Sequence, residues 1–243
     1  GGAGDDTLFA GSGTNSLNGG DGDDIIFTEN DTSSRNTIEG GSGNDTINPS
    51  GGVDIIDAGI GDDFVDGSNG NDTITGGNGL DQLSGGDGDD TITGESGEDT
   101  IDGGNGADNI NGGDDADLIT AGEGADIIDG GGANDIIQGQ AGADTITVGS
   151  GDDTLFYKFN DNALNVNSNV TTAANSSDKI LDFGTGDNNF TFSNSDFLGG
   201  ELSTGTLSSS LFFSISQQYD GTNSGASSSQ GIFIFDSVKN LYF

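Results

Sequence analysis

The chain has 243 residues, 42 of them acidic and only 4 basic, so it carries a formal charge of −38; it contains no Cys, His, Met or Trp. Charge of one sign repels itself and offers no Lys/Arg footprint, which excludes nucleic acid and anionic membrane surfaces as partners and leaves multivalent cations as the natural counter-charge. Without His or Cys there is neither a zinc site of the usual ligand type nor a Ser-His-Asp or Cys-His nucleophile.

No apolar run approaches the ~18–20 residues that span a bilayer, so no membrane span is expected. No N-terminal signal peptide is recognisable, and a sequence opening on Gly1 reads as a segment of a longer chain. Composition then splits the chain in two. Residues 1–156 hold 39 of the 47 glycines, 34 of the 42 acids and 4 aromatics, whereas residues 157–243 hold 13 aromatics and 8 acids. The expected organisation is a repeat array over 1–156 followed by a region with a more ordinary core over 157–243.

Written in nines, the array opens GGAGDDTLF, AGSGTNSLN, GGDGDDIIF. Residues 28–39, TENDTSSRNTIE, form one irregular unit with three extra residues. From Gly40 the frame runs unbroken through thirteen units, among them GGSGNDTIN, GSNGNDTIT, GGDGDDTIT and VGSGDDTLF. Of the seventeen units, position six is Asp in fifteen and Asn in two, and position eight is Ile, Leu or Val in all. A disordered acidic linker would explain the composition but not seventeen aliphatics held at one phase. A phosphate cradle fails because each glycine loop is flanked by carboxylates and no P-loop Lys follows. Paired carboxylates of a glycosidase carry no signal in a chain this acidic, where some pair always meets the spacing.

This pattern resembles the RTX (hemolysin-type) calcium-binding repeat, whose consensus is G-G-x-G-x-D-x-U-x. The resemblance covers residues 1–156 and implies an all-β fold, a parallel β-roll (a two-sheet β-solenoid) with a C-terminal β-rich cap. The residue chemistry agrees: the glycines permit turns at φ > 0, Asp at position six supplies the hard anionic oxygen Ca²⁺ prefers, and positions seven to nine make a short strand with one aliphatic side chain inward. Two units then complete a coil, so loops on one side lie eighteen residues apart.

The family resemblance further implies that each Ca²⁺ lies between two such loops and shares their aspartates, with carbonyls of the first four loop positions completing the shell. One column contributes Asp6, Asp24, Asp45, Asp63, Asp81, Asp99, Asp117, Asp135 and Asp153. The other contributes Asn15, Asn36, Asp54, Asp72, Asp90, Asp108, Asp126 and Asp144. Of fifteen intervals, thirteen receive an aspartate from both loops, so about thirteen strong Ca²⁺ sites are expected. The interval between Asn15 and Asn36 receives no carboxylate and is expected to hold no calcium. Arg35, the array's one basic residue, is expected either to satisfy carbonyls or acids such as Asp31 there or simply to decorate a solvated bulge. Acids at position nine (Asp57, Asp66, Asp102, Asp129) are read as solvated surface. Asp115 and Ala133, which replace glycine at position four, are read as tolerated substitutions. No catalytic residues and no organic cofactor are expected.

Beyond the array, residues 178–192 (DKILDFGTGDNNFTF) resemble the DxIxDFxxGxD segment that caps the roll in RTX exoproteins. Residues 231–243 (GIFIFDSVKNLYF) resemble a terminal hairpin of the same proteins, with Lys239-Asn240 at the turn. Residues 199–231 read as polar loops around a strand at 211–215. The resemblance implies a calcium-binding structural module of a secreted or cell-surface bacterial protein, folding on Ca²⁺ after export, with the type I secretion machinery as a transient partner and no enzyme activity of its own. The alternative is a calcium-dependent surface-layer or adhesin module that self-assembles with neighbouring subunits.

Overall fold

The computed structural model describes residues 1–29, 31–142 and 144–156, and beyond these the backbone of four short strands. The 211–215 segment lies outside the described residues.

Two ten-stranded parallel sheets make up the roll, and its successive strands alternate between them. Sheet I takes Gly2–Ala3, Ser16–Asp21, Thr37–Ser42, Ile55–Ile60, Thr73–Asn78, Thr91–Ser96, Asn109–Asp114, Ile127–Gly131, Thr145–Gly149 and Asn169–Thr172. Sheet II takes Thr7–Ala10, Ile25–Thr28, Thr46–Asn48, Phe64–Asp66, Gln82–Asp87, Thr100–Asn105, Leu118–Gly124, Ile136–Gly142, Thr154–Phe156 and Lys179–Leu181. This is a parallel β-roll. No helix among the described residues is long and apolar enough to cross a membrane.

Register follows the repeat. Partners are eighteen residues apart, as in Ile74↔Ile92↔Ile110 and Leu83↔Ile101↔Ile119. The exceptions are Ser16↔Thr37 and Ile25↔Thr46, both twenty-one apart, after which Thr37↔Ile55 restores eighteen. The three extra residues therefore sit in the single loop between Thr28 and Thr37, and no strand slips. Past the last regular unit, Asn169–Thr172 pairs with Thr145–Gly149 across an irregularity, and Lys179–Leu181 pairs with Thr154–Phe156. A separate antiparallel hairpin joins Ile234–Asp236 to Lys239–Tyr242.

One side chain in nine builds the core. Position eight of every unit from Ile26 to Leu155 is at most 2% exposed, while Leu8 and Leu17 of the first coil pack against the row and are partly covered. Within each strand the pattern alternates, as in Thr91 outward, Ile92 inward, Thr93 half-covered, Gly94 inward. With the sheets back to back, the space between them admits one branched aliphatic per half-coil and little else. Ala58, Ala121 and Val148, at position one, are the additional apolar groups buried there.

The loops stack as closely as the strands. Gly70, at position four, has φ +135°, and a Cβ there would collide with the Gly52 carbonyl of the preceding coil. Asp115 (φ 75°) and Ala133 (φ 66°) hold the same left-handed conformation without being glycine, at a cost of about 1–2 kcal/mol each.

Candidate metal centre

Position six closes every loop immediately before its strand, and the inward turn there buries the side chain. Asp24, Asp45, Asp54 and every later position-six aspartate are at most 2% exposed; Asp6, in the first coil, is half-buried.

From Asp24 onward each of these carboxylates bridges two coils. Asp90 Oδ1 accepts the backbone N–H of Asp72 at 2.7 Å, and Asp108 Oδ1 accepts that of Asp90 at 2.9 Å. The opposite column repeats this from Asp6→Asp24 (2.7 Å) and Asp24→Asp45 (2.8 Å) to Asp117→Asp135 and Asp135→Asp153 (2.9 Å each). The structure thus brings the expected site residues together in two separate files. Asp115 and Ala133 leave their file intact, since Asp99 N reaches Asp117 Oδ1 at 2.8 Å.

The second oxygen is the chemically telling one. Oδ2 of Asp24, Asp45, Asp54, Asp63, Asp72, Asp81, Asp90, Asp99, Asp108, Asp117, Asp126, Asp135 and Asp144 is buried and has no hydrogen-bond partner among the described residues. An unpaired buried carboxylate oxygen is expensive. Accordingly burial pushes Asp63, Asp72, Asp90, Asp117 and Asp144 up to about 7, and Asp99, Asp126 and Asp135 up to about 6. Desolvation is the main cause in all eight. The backbone N–H received at Oδ1 opposes it, and neighbouring aspartates in the file add repulsion to most of them.

A backbone oxygen of the next coil lies on the same side of the loop as Oδ2. A Cβ on Gly67 would lie 2.8 Å from Asp72 Oδ2 and 2.7 Å from the Gly85 carbonyl of the next coil. Glycine at position one therefore leaves room for a carboxylate oxygen and a carbonyl oxygen to face each other across the inter-coil gap. Neighbouring carbonyls are partly engaged: Asn69 O accepts Gly52 N–H, and Ser68 O accepts Asp87 N–H. A carbonyl keeps a second lone pair after such a bond. Among the described residues no three acidic side chains converge on one point, so the fold supplies carboxylate pairs and backbone oxygens rather than a carboxylate cage. An all-oxygen, partly anionic donor set of this kind fits a hard cation such as Ca²⁺.

Sequence reasoning missed the work of position five. Asp5, Asp23, Asn44 and Asp62 each accept, through Oδ1, the backbone N–H of the position-five residue one coil later, at 2.8–3.1 Å. Asn71, Asp89 and Asn134 do the same. This outer ladder runs opposite in direction to the inner one, in which the later aspartate accepts from the earlier residue. The recurring Asp-Asp and Asn-Asp pairs at positions five and six were its visible signal. Of the position-nine acids, Asp57 and Asp102 are exposed while Asp66 and Asp129 are half-buried. Arg35 is exposed and makes no ion pair among the described residues; Asp31 instead accepts from Ser33 and Gly13, bonds that hold its carboxyl below the usual range.

Fold and site together define a structural solenoid with two files of buried carboxylates, whose Oδ2 atoms from Asp24 to Asp144 have no hydrogen-bond partner among the described residues, a scaffold of the cation-binding kind. The chain belongs to the RTX calcium-binding nonapeptide repeat family, whose model matches repeatedly from residues 1–32 through 129–162 and so covers about two thirds of the sequence. Such repeats make a calcium-binding structural module typical of secreted bacterial proteins. A comparison with curated proteins finds no match.

Proposed function

We propose that the roll binds Ca²⁺ between successive loops of each file and folds on doing so, after export from a calcium-poor cytosol by a type I system. The ligands would be Asp6, Asp24, Asp45, Asp63, Asp81, Asp99, Asp117, Asp135 and Asp153 in one file, and Asp54, Asp72, Asp90, Asp108, Asp126 and Asp144 in the other. About thirteen intervals have a carboxylate on both sides. Residues 157–243 would form a separate C-terminal region that caps the last coil and carries the export information.

The observation that carries the reading is the row of buried Oδ2 atoms without a partner. One aliphatic side chain per nine residues, in a glycine-rich backbone, is too little apolar burial to hold such a row uncompensated. A bound dication supplies the missing counter-charge, and its binding energy becomes folding energy. The test is a calcium titration of the full chain followed by far-UV circular dichroism. A β-sheet signal should develop cooperatively with calcium and collapse in excess EGTA. A β-sheet spectrum that persists unchanged under chelation at neutral pH would defeat the proposal.

A further inference from the structure

Two rungs of the second file are asparagine, and their amide nitrogens are not left as Oδ2 is left elsewhere. Asn15 Nδ2 donates to Gly11 O at 2.9 Å, to Gly13 O at 3.1 Å and to Asn36 Oδ1 at 2.9 Å. Two loop carbonyls and the next rung's oxygen thus converge on this nitrogen. Carbonyls only accept, so the nitrogen and not the amide oxygen faces them. Asn36 is 1% exposed, and its Nδ2 donates to Asp54 Oδ1 at 2.9 Å and to Ser34 Oγ at 3.4 Å. The inner ladder still passes through both, since Asn15 N reaches Asn36 Oδ1 at 3.2 Å and Asn36 N reaches Asp54 Oδ1 at 2.7 Å.

The irregular loop reinforces the same place. Glu29 Oε2 accepts Ser12 N–H and Asp31 Oδ2 accepts Gly13 N–H, both at 3.2 Å. On its other side Ser34 Oγ donates to Gly51 O at 2.6 Å, and Ser34 O accepts Val53 N–H at 3.0 Å. The irregular loop thus carries carboxylates over one loop and a hydroxyl under the next. Across the same coils the facing file keeps the ordinary arrangement, with Oδ2 of Asp24 and Asp45 buried and partnerless.

We propose that Asn15 and Asn36 exclude calcium from the intervals 15–36 and 36–54 and replace it with amide hydrogen bonds, so that residues 11–15, 29, 31–36 and 50–54 form a metal-independent clasp. An amide N–H₂ supplies two donors where an ion would supply charge, at Asn15 shared among three oxygens, without changing the net charge of the site. The clasp holds one side of the first coils in register before the metal-dependent loops close. The proposal rests on the assignment of the position-six aspartates as calcium ligands.

Two measurements on the full chain test it. The first is hydrogen exchange across a calcium titration. The backbone amides of Asn15 and Asn36 should reach protection at a calcium concentration at least about tenfold below that needed by Asp72 and Asp90. Equal or later protection of Asn15 and Asn36 would overturn the clasp. The second is the number of bound Ca²⁺ by native mass spectrometry in wild type, Asn36→Asp and Asp90→Asn. Asn36→Asp gives the 36–54 interval, which has the regular eighteen-residue spacing, a second carboxylate and should add one ion; Asp90→Asn should bind fewer. An unchanged count in Asn36→Asp beside a reduced count in Asp90→Asn overturns the clasp and leaves the proposed function standing. An unchanged count in Asp90→Asn overturns that function, and the clasp with it.

Discussion

Two files of side chains run along the roll only two residues apart in every unit, and from Asp24 and Ile26 onward both are buried to within a few per cent of complete. Position eight is aliphatic and gains from that burial. Position six is a carboxylate and suffers from it, half satisfied by a neighbour's N–H and half not satisfied at all. The first file decides where the strands go. On the proposed function, the second sets the conditions under which the arrangement is adopted. A fold whose apolar row is this thin can be switched by the chemistry of its polar row, and that separation of roles is what the repeat encodes.

The largest effect should come from changing the charge of the polar file while leaving the apolar one alone. With calcium removed, protons are the remaining means of neutralising the carboxylates. In Asp63, Asp72, Asp90, Asp99, Asp117, Asp126, Asp135 and Asp144 the folded values of about 6–7 exceed the ~3.9 of an unfolded aspartate. Between about pH 4 and 7 the folded chain therefore binds more protons than the unfolded one, and its stability falls as pH rises through that window. Calcium-free protein should recover β-sheet dichroism on acidification from pH 8 to about 4.5. Calcium-loaded protein should show the reverse trend, because protons compete for the ligands. A calcium-free spectrum that does not change with pH would mean that burial costs these carboxylates little.

Next in size is a contrast inside one unit. Ile101→Ala removes apolar volume from a site 1% exposed and should cost about 2–5 kcal/mol at saturating calcium, with the number of bound ions unchanged. Asp99→Ala takes one carboxylate from each of the two intervals it shares with Asp81 and Asp117. It should lower the ion count and raise the calcium midpoint, while intervals of the opposite file around Asp90 and Asp108 stay filled. Loss of calcium beside Asp90 in Asp99→Ala would show that the two files are not independent.

Much of this was legible before any coordinates. A fixed phase of aliphatics at position eight specified a row, and eighteen-residue spacing specified two files, both of which the strand register reproduces. The single irregular loop was placed by counting. Hydrogen-bond direction was not legible: periodicity shows that Asp23 and Asp24 recur together, but not that one reaches to the following coil and the other accepts from the preceding one. The strands Asn169–Thr172 and Lys179–Leu181 were equally hidden as members of the two sheets, because Thr145↔Asn169 and Thr154↔Lys179 are 24 and 25 residues apart and the nine-residue signal has ended. The asparagine rungs were visible only as missing charge. That their nitrogens gather carbonyls depends on how loop 11–15 folds around Asn15.

The smallest effect is expected at position four. Gly70→Ala should be poorly tolerated, since its Cβ would meet the Gly52 carbonyl. Ala133 already carries that Cβ at φ 66° and is exposed, so its methyl gains little from packing. Relieving an L-residue of the left-handed conformation is worth about 1–2 kcal/mol. Glycine gives back about 0.4–1 kcal/mol through the greater freedom of the unfolded chain. Ala133→Gly should therefore stabilise the calcium-saturated protein by roughly 0.5–1 kcal/mol, read as a modest upward shift of the urea midpoint with the same slope. The Asp117→Asp135→Asp153 rungs already have ordinary lengths of 2.9 Å, so the calcium midpoint should stay where it is. A clear gain in calcium affinity would show instead that the alanine distorts a metal site, and that position four acts on the carboxylate file as well as on the turn.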